Sequence, residues 1–151
     1  MKLVIQRVRR AVVRVGGESV GAIGPGALIL AGVAADSTAH DIRYLARKVS
    51  ALRIFDDEQG RLNRSLRDAG GALLVVSQFT LYGDVVHGNR PSYAAAAPPD
   101  QAQALLDDFI AELRALGHEV HTGRFRAAMQ VELENDGPVT LVLESRGRQH
   151  D

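Results

Sequence analysis

Several short stretches of this 151-residue chain carry residue types able to do chemistry. Gly17-Glu18-Ser19-Val20-Gly21 has the G-x-S-x-G spacing of serine hydrolases. There the serine works because a strand-to-helix turn exposes it above a helix N-terminus. Both flanks here are β-patterned, so Ser19 is expected at or near a hairpin turn, without that elbow. His118-Glu119-Val120-His121 is one residue short of the helical zinc-protease spacing. On a strand, residues three apart face opposite ways, so the two imidazoles are not expected to share an ion and no metal site is assigned. Glu132 and Glu134 share a strand face and could form an acid/base pair, but alternation with Val131 and Leu133 reads more simply as a solvated face.

Two other segments are better placed for function. Ser77-Gln78-Phe79-Thr80 follows an apolar run, Leu73 to Val76. An abrupt change from buried strand to polar groups puts hydroxyls, an amide and free backbone N–H groups where rigid scaffolds present them, although local capping would explain it too. Asn135-Asp136-Gly137-Pro138-Val139-Thr140 lies between two strand patterns and is expected to be the tight turn that joins them. Pro138 cannot donate to a sheet ladder, so it belongs in the turn or at the beginning of a strand. A Gly-Pro bond adopts either isomer at a difference of only ~0.5–1 kcal/mol, so its state is open at this level.

The elements that must position these segments follow from periodicity. Leu3, Ile5, Val8, Val13 and Val15 predict a bent or bulged strand interrupted by the charged stretch Arg7 to Arg10, and Gly16-Gly17 signals a hairpin. Val20 to Ile23 would return, Gly24-Pro25-Gly26 would turn again, and Ala27 to Ala34 would be a buried strand. Thr38 and Asp41 have capping-box spacing ahead of a helical stripe of Ile42, Leu45, Ala46, Val49 and Leu52. After the loop-like stretch Tyr82 to Pro99, a second helix starts at Pro99-Asp100, carries Leu105, Leu106, Phe109, Ile110, Leu113 and Leu116, and stops at Gly117. Met129 to Glu134 and Val139 to Leu143 close the chain. The expected fold is α+β, one domain over residues 1–145, with a mainly antiparallel, barrel-like sheet and two main helices packed outside it. Residues 146–151 read as a flexible tail.

Bulk properties narrow the function classes. An apolar fraction of 46% and a charged fraction of 24% are those of an ordinary globular protein. The absence of cysteine excludes disulfides and thiolate metal sites. Without a signal segment or a membrane-length apolar run, the expected location is the cytoplasm, away from membranes. Eighteen basic residues balance eighteen acidic ones, so a strong general grip on nucleic acid is not expected. Any RNA substrate would be held at one end.

Five motifs in register carry a resemblance over nearly the whole chain, from the first strand to about Ser145. They are Ile5-Gln6-Arg7-Val8, Ser77-Gln78-Phe79-Thr80-Leu81, Gly88-Asn89-Arg90-Pro91-Ser92-Tyr93, Thr122-Gly123-Arg124-Phe125 and Asn135-Asp136-Gly137-Pro138-Val139-Thr140. Together they resemble the D-aminoacyl-tRNA deacylase family, also called D-tyrosyl-tRNA deacylases. Two positions depart from it: Arg126 stands where the family often has glycine, and Tyr93 where phenylalanine is frequent.

The resemblance implies a homodimer, without cofactor, that hydrolyses the ester at the 3′ end of D-aminoacyl-tRNA, and of glycine mischarged on tRNA-Ala. It implies a cis Gly137-Pro138 bond, with this motif reaching into the partner subunit's pocket so that its carbonyls exclude L-residues. Asn135 belongs to that motif, and Arg7 would hold it in orientation. Backbone N–H groups of Phe79 and Thr80 would stabilise the oxyanion, with Ser77 beside them. Gln78 would place the terminal adenosine, and Phe125 and Met129 would enclose its base. The free 2′-hydroxyl of the terminal ribose would activate water, leaving Thr80 a less favoured nucleophile because no partner base is apparent. Alternatives are a sister deacylase with a trans Gly-Pro and relaxed chirality, a non-enzymatic dimeric binding module, and a serine esterase built on Ser19.

Overall fold

A computed structural model describes residues 1–145. The expectation of a tail at 146–151 lies outside the described residues. One long strand that pairs with three others organises the sheet. Strand β1 (Lys2–Val15) pairs with β3 (Gly26–Gly32) along its first half, with β2 (Glu18–Ile23) along its second, and with β8 (Gln130–Glu144) on its other edge. Outward from β3 come β6 (Ala72–Ser77) and β7 (Val120–Thr122), giving the order β2-β1-β3-β6-β7. A small hairpin, β4 (Phe55–Asp56) with β5 (Leu62–Arg64), stands apart from this sheet.

The expectation of a mainly antiparallel sheet is corrected: the sheet is mixed. β3 pairs with β6 in parallel, and β6 with β7 likewise. Each of these connections contains a long helix, α1 (Ala39–Ala51) or α3 (Pro99–Ala115), which carries the chain back to start the next strand in the same direction. A short third helix, α2 (Leu66–Ala69), precedes β6. The sheet nearly closes on itself. Gly21 of β2 lies so near the carbonyl of Thr122 in β7 that a Cβ would stand 2.2 Å from that oxygen, so only glycine permits the approach.

The strands separate two apolar clusters. Leu73 and Val75 of β6, with Ala27, Ile29 and Ala31 of β3, face Leu45, Phe109 and Leu113 of the helix layer. Their neighbours Leu74, Val76 and Leu28 fill the barrel interior with Val8, Ala11 and Val13. Burial on both faces is why these strands read as unbroken apolar runs. β1 changes sides: Leu3 and Ile5 face the helices, and Val8, Ala11 and Val13 face the interior, with register shifts against β8 on either side of Val8. This is the bulged strand that the Arg7 to Arg10 interruption predicts.

The two long helices follow their stripes, with Leu52 and Leu116 falling at the C-caps and, like Leu105, only partly buried against the core. Ile42, Leu45, Ala46 and Val49 are buried in α1, as are Leu106, Phe109, Ile110 and Leu113 in α3. Thr38 caps α1 in a reciprocal box with Asp41. Burial pushes the Asp41 carboxyl up, but hydrogen bonds from the Thr38 amide (2.8 Å) and hydroxyl (3.0 Å) outweigh it and hold the group below its ordinary value. No helix among the described residues is long and apolar enough to cross a membrane.

Candidate active site

The apolar run of β6 ends at Ser77, and Gln78 leads directly into a 3-10 helix, Phe79–Tyr82. The Gln78 amide still bonds the Ala31 carbonyl of β3 at 2.9 Å, so the strand end is fixed before the chain turns. The N–H groups of Phe79 and Thr80 then fall in the first turn of the 3-10 helix, before any carbonyl of that helix can serve them. Phe79 is exposed and rests edge-on against Tyr93, with ring centroids 5.0 Å apart.

This corner opens onto a cavity of about 600 Å³ lined by Ser77, Gln78, Phe79, Phe125 and Met129. Five residues singled out from three separate sequence segments thus share one wall. Tyr93, Ala96 and Ala97, from the loop before α3, also line the cavity, as does Arg126. The loop residues had no local signal beyond a motif ending at Tyr93; small side chains there leave room that sequence alone does not reveal. Thr80 does not line the cavity, but its hydroxyl accepts a hydrogen bond from the Gln78 side-chain amide.

Among the described residues, no histidine or carboxylate lines this cavity, whose ionisable side chains are Arg126 and Tyr93. The wall therefore supplies hydrogen-bond donors, an aromatic face and a cation, and lacks a general base of ordinary pKa near neutrality. Arg126 adopts φ +64°, a left-handed conformation uncommon for residues with a side chain, which accounts physically for a glycine preference at such a position.

Arg7, Asn135, Gly137 and Pro138 form a second cluster that takes no part in lining that cavity. The segment containing them is not the turn expected to join two strands. Both halves of β8 run antiparallel to β1: Thr140 faces Gln6 and Asn135 faces Val8. The four residues between them stand opposite Arg7 alone, forming a large bulge within one strand. Pro138, unable to donate to the ladder, sits where no ladder bond is required. The Gly137-Pro138 bond is cis.

Side chains clamp the bulge from both ends. The buried Arg7 donates from Nε to the Asp136 carbonyl at 2.7 Å, and from Nη1 to the Ile54 carbonyl at 2.9 Å and Asp56 at 3.2 Å. Asn135 Oδ1 accepts from the Val139 amide at 2.8 Å, and its Nδ2 donates to the Thr140 hydroxyl at 3.0 Å. Gly137 and Pro138 themselves remain exposed. A rigid, outward-facing backbone projection results.

The other chemical motifs resolve as structure. Ser19 lies exposed on β2 just past the hairpin turn. His118 is buried, with Nε2 2.7 Å from the Ser50 hydroxyl, whereas His121 is held by Glu119. Glu132 binds Arg10 and Arg14 at 2.9 and 2.7 Å on the outer face, and these hydrogen bonds lower its carboxyl below the usual range.

A family model described as D-Tyr-tRNA(Tyr) deacylase matches residues 4–144. A D-aminoacyl-tRNA deacylase of Heliobacterium modesticaldum is 56% identical over 147 residues, covering 97% of this chain and 98% of its own. That of Chloroflexus aurantiacus is 59% identical over 145 residues, covering 96% and 91%. A solved structure described as c-Myc DNA Unwinding Element Binding Protein is 42% identical, with a TM-score of 0.93 over 97% of this chain and all of that one. A probable eukaryotic D-amino acid tRNA deacylase, at 18% identity and a TM-score of 0.80 over 94% of this chain and 97% of its own, shares the fold. Matched across nearly its full length, the chain belongs to the D-Tyr-tRNA(Tyr) deacylase family.

Proposed function

We propose that this protein hydrolyses the ester of D-aminoacyl-tRNA, releasing the D-amino acid and tRNA, and acts likewise on glycine mischarged on tRNA-Ala. The observation that carries the reading is the cavity at the end of β6. It presents Ser77, Gln78 and Phe79 at the start of a 3-10 helix, with no imidazole or carboxylate of the described residues on its wall. Such a site suits a substrate that brings its own proton acceptor. The 2′-hydroxyl of the terminal ribose activates a water, which attacks the ester carbon. The Phe79 and Thr80 amides stabilise the oxyanion, an effect worth ~3–4 kcal/mol per donor in other enzymes. The ribose 3′ oxygen then leaves with a proton. Gln78 orients the adenosine, and Phe125 and Met129 cover its base.

Chiral selection falls to the Gly137-Pro138 projection. Its exposure and its separation from the cavity lining of its own chain support a homodimer in which each bulge completes the other subunit's site. A D-residue directs its side chain away from the projecting carbonyls, an L-residue drives its side chain into them, and glycine meets no obstacle. Rejection of the wrong isomer thus needs no side-chain pocket. Arg7 and Asn135 keep the projection in place.

The decisive assay offers purified protein D-tyrosyl-tRNA and L-tyrosyl-tRNA. Release of D-tyrosine with the L-ester intact supports the reading. Hydrolysis of both isomers would indicate a deacylase of relaxed chirality, and inertness towards both a binding module. Ser19→Ala should leave turnover unchanged; its loss would revive an esterase on that serine.

A further inference from the structure

Beside the proposed adenosine site lies a second cleft of about 460 Å³, between α3 and the segment following β7, and the two share Ser77 and Phe125. Resting on the deacylase reading, we propose that this cleft receives the penultimate nucleotide of the tRNA. The phosphodiester joining it to the terminal adenosine would cross Phe125, between Arg124 and Arg126.

Three consecutive residues make the case. Arg124 lines the second cleft, Arg126 lines the first cavity, and Phe125 lines both. Phe125 thus borders two nucleoside-sized spaces, with one arginine lining each. Single-stranded nucleic acid is held by this combination, aromatic faces for bases and cations for the backbone. The arginines are not a by-product of a basic protein, since the net formal charge is zero. Nor are they paired elsewhere among the described residues. Arg7, Arg9, Arg10 and Arg14 each meet a carboxylate, whereas neither Arg124 nor Arg126 enters an ion pair with a described residue. Arg126 also occupies its left-handed conformation beside Phe125, and backbone strain of that kind clusters at ligand sites. The far wall of the cleft adds Gln103, Asp107 and Arg114 from one face of α3, polar groups suited to a base edge and a ribose. The cleft adjoins the cavity at Ser77 and Phe125, so a ligand that extends from the cavity past Phe125 enters the cleft, and the extension of a terminal adenosine is the nucleotide before it.

The test compares two minimal substrates: D-tyrosyl-adenosine, and D-tyrosyl-cytidylyl-adenosine, which carries the -CA end common to mature tRNAs. The dinucleotide should be hydrolysed with a kcat/KM about tenfold higher, the scale of one stacked base. One phosphate contact should make that advantage decline with salt at a log-log slope of about −0.7. The ratio should fall towards unity in Arg124→Gln and in Ala111→Phe, which fills the cleft from α3. Circular dichroism establishes that each variant folds, and Arg124→Gln changes only an exposed side chain should the bulkier replacement fail. Equal efficiency on the two substrates, or an advantage that survives both variants, overturns the subsite while leaving the deacylase reading intact. Failure to hydrolyse either compound or D-tyrosyl-tRNA overturns both.

Discussion

Arg7 Nε stands 2.7 Å from the carbonyl oxygen of Asp136, the residue immediately before Gly137, at the point where β1 and β8 part. One buried guanidinium therefore ties the projecting bulge to the Ile54 carbonyl and to Asp56 of the β4 strand on its other side. Replacing it tests both anchorage and selectivity. Arg7→Met should destabilise the fold by about 2–4 kcal/mol, because two carbonyls lose a charge-assisted donor in a buried setting. Arg7→Lys keeps the charge but lacks the planar fork, so it should retain much of the stability while losing orientation of the bulge. Urea midpoints report the first effect, and the ratio of D- to L-tyrosyl-tRNA hydrolysis the second. A variant as selective as wild type would show that the clamp has no part in chiral choice.

Gly137 offers a sharper test of the same projection. Its φ is +142°, and a Cβ there would stand 2.8 Å from Val139 Cγ2 and 2.9 Å from the Val139 amide nitrogen. The backbone atom cannot move aside cheaply, so Gly137→Ala should cost at least ~1–3 kcal/mol if the bulge is kept. The chain can instead reshape the bulge, and then stability recovers while discrimination falls. Thermal melts and the two-isomer assay together separate these outcomes; a variant unchanged in both would mean that the bulge tolerates a side chain.

Much of the scaffold was legible because its causes are local. The apolar run that opens at Ala27, the stripe from Ile42 to Leu52, the Thr38–Asp41 box and the proline opening α3 all act within a few residues. The same reasoning could have found α2, whose Ser65 and Asp68 form a second capping box with the same spacing. What escaped was non-local. Asn-Asp-Gly-Pro spells a turn, but whether the chain reverses there depends on which strand lies alongside, and both flanks pair with β1. Parallel pairing of β3 with β6 is likewise set by the path through α1. For the site, the Ser77 corner was visible as an apolar run ending in polar groups. The cavity facing it depends on Ala96 and Ala97, small residues whose effect is space.

His118 makes stability depend on pH. Burial, followed by the positive charge of Arg67, lowers its pKa below the ordinary histidine value, and its Nε2 meets the Ser50 hydroxyl at 2.7 Å. As pH falls, the unfolded chain takes up a proton near pH ~6.5, before the folded protein does. Proton uptake by the unfolded state costs stability. The contribution is therefore full above that value, declines as pH drops towards the lower folded pKa, and levels off beneath it. Urea midpoints between pH 8 and pH 5 should show this decline, and His118→Gln should flatten it. The Asp41 carboxyl, also depressed, gives its own loss only at more acidic pH, so the two windows are separable. An identical slope in His118→Gln would assign the effect to another group.

Thr80 decides between a protein nucleophile and an RNA-assisted reaction. Its hydroxyl is exposed and accepts from the Gln78 side-chain amide, a group that takes no proton at neutral pH. A hydroxyl without a base beside it is a poor nucleophile. The backbone amide of residue 80, by contrast, survives any ordinary substitution. Thr80→Val should consequently keep kcat within about tenfold of wild type, whereas deleting a true nucleophile costs on the order of a million-fold in a triad enzyme. The complementary change is made in the substrate. D-tyrosyl ester on a 3′ end lacking the 2′-hydroxyl should react at least a hundredfold more slowly, the lower range of general-base assistance. If the deoxy ester reacts normally and Thr80→Val is dead but folded, the proton acceptor belongs to the protein and the Thr80 oxygen attacks the ester itself.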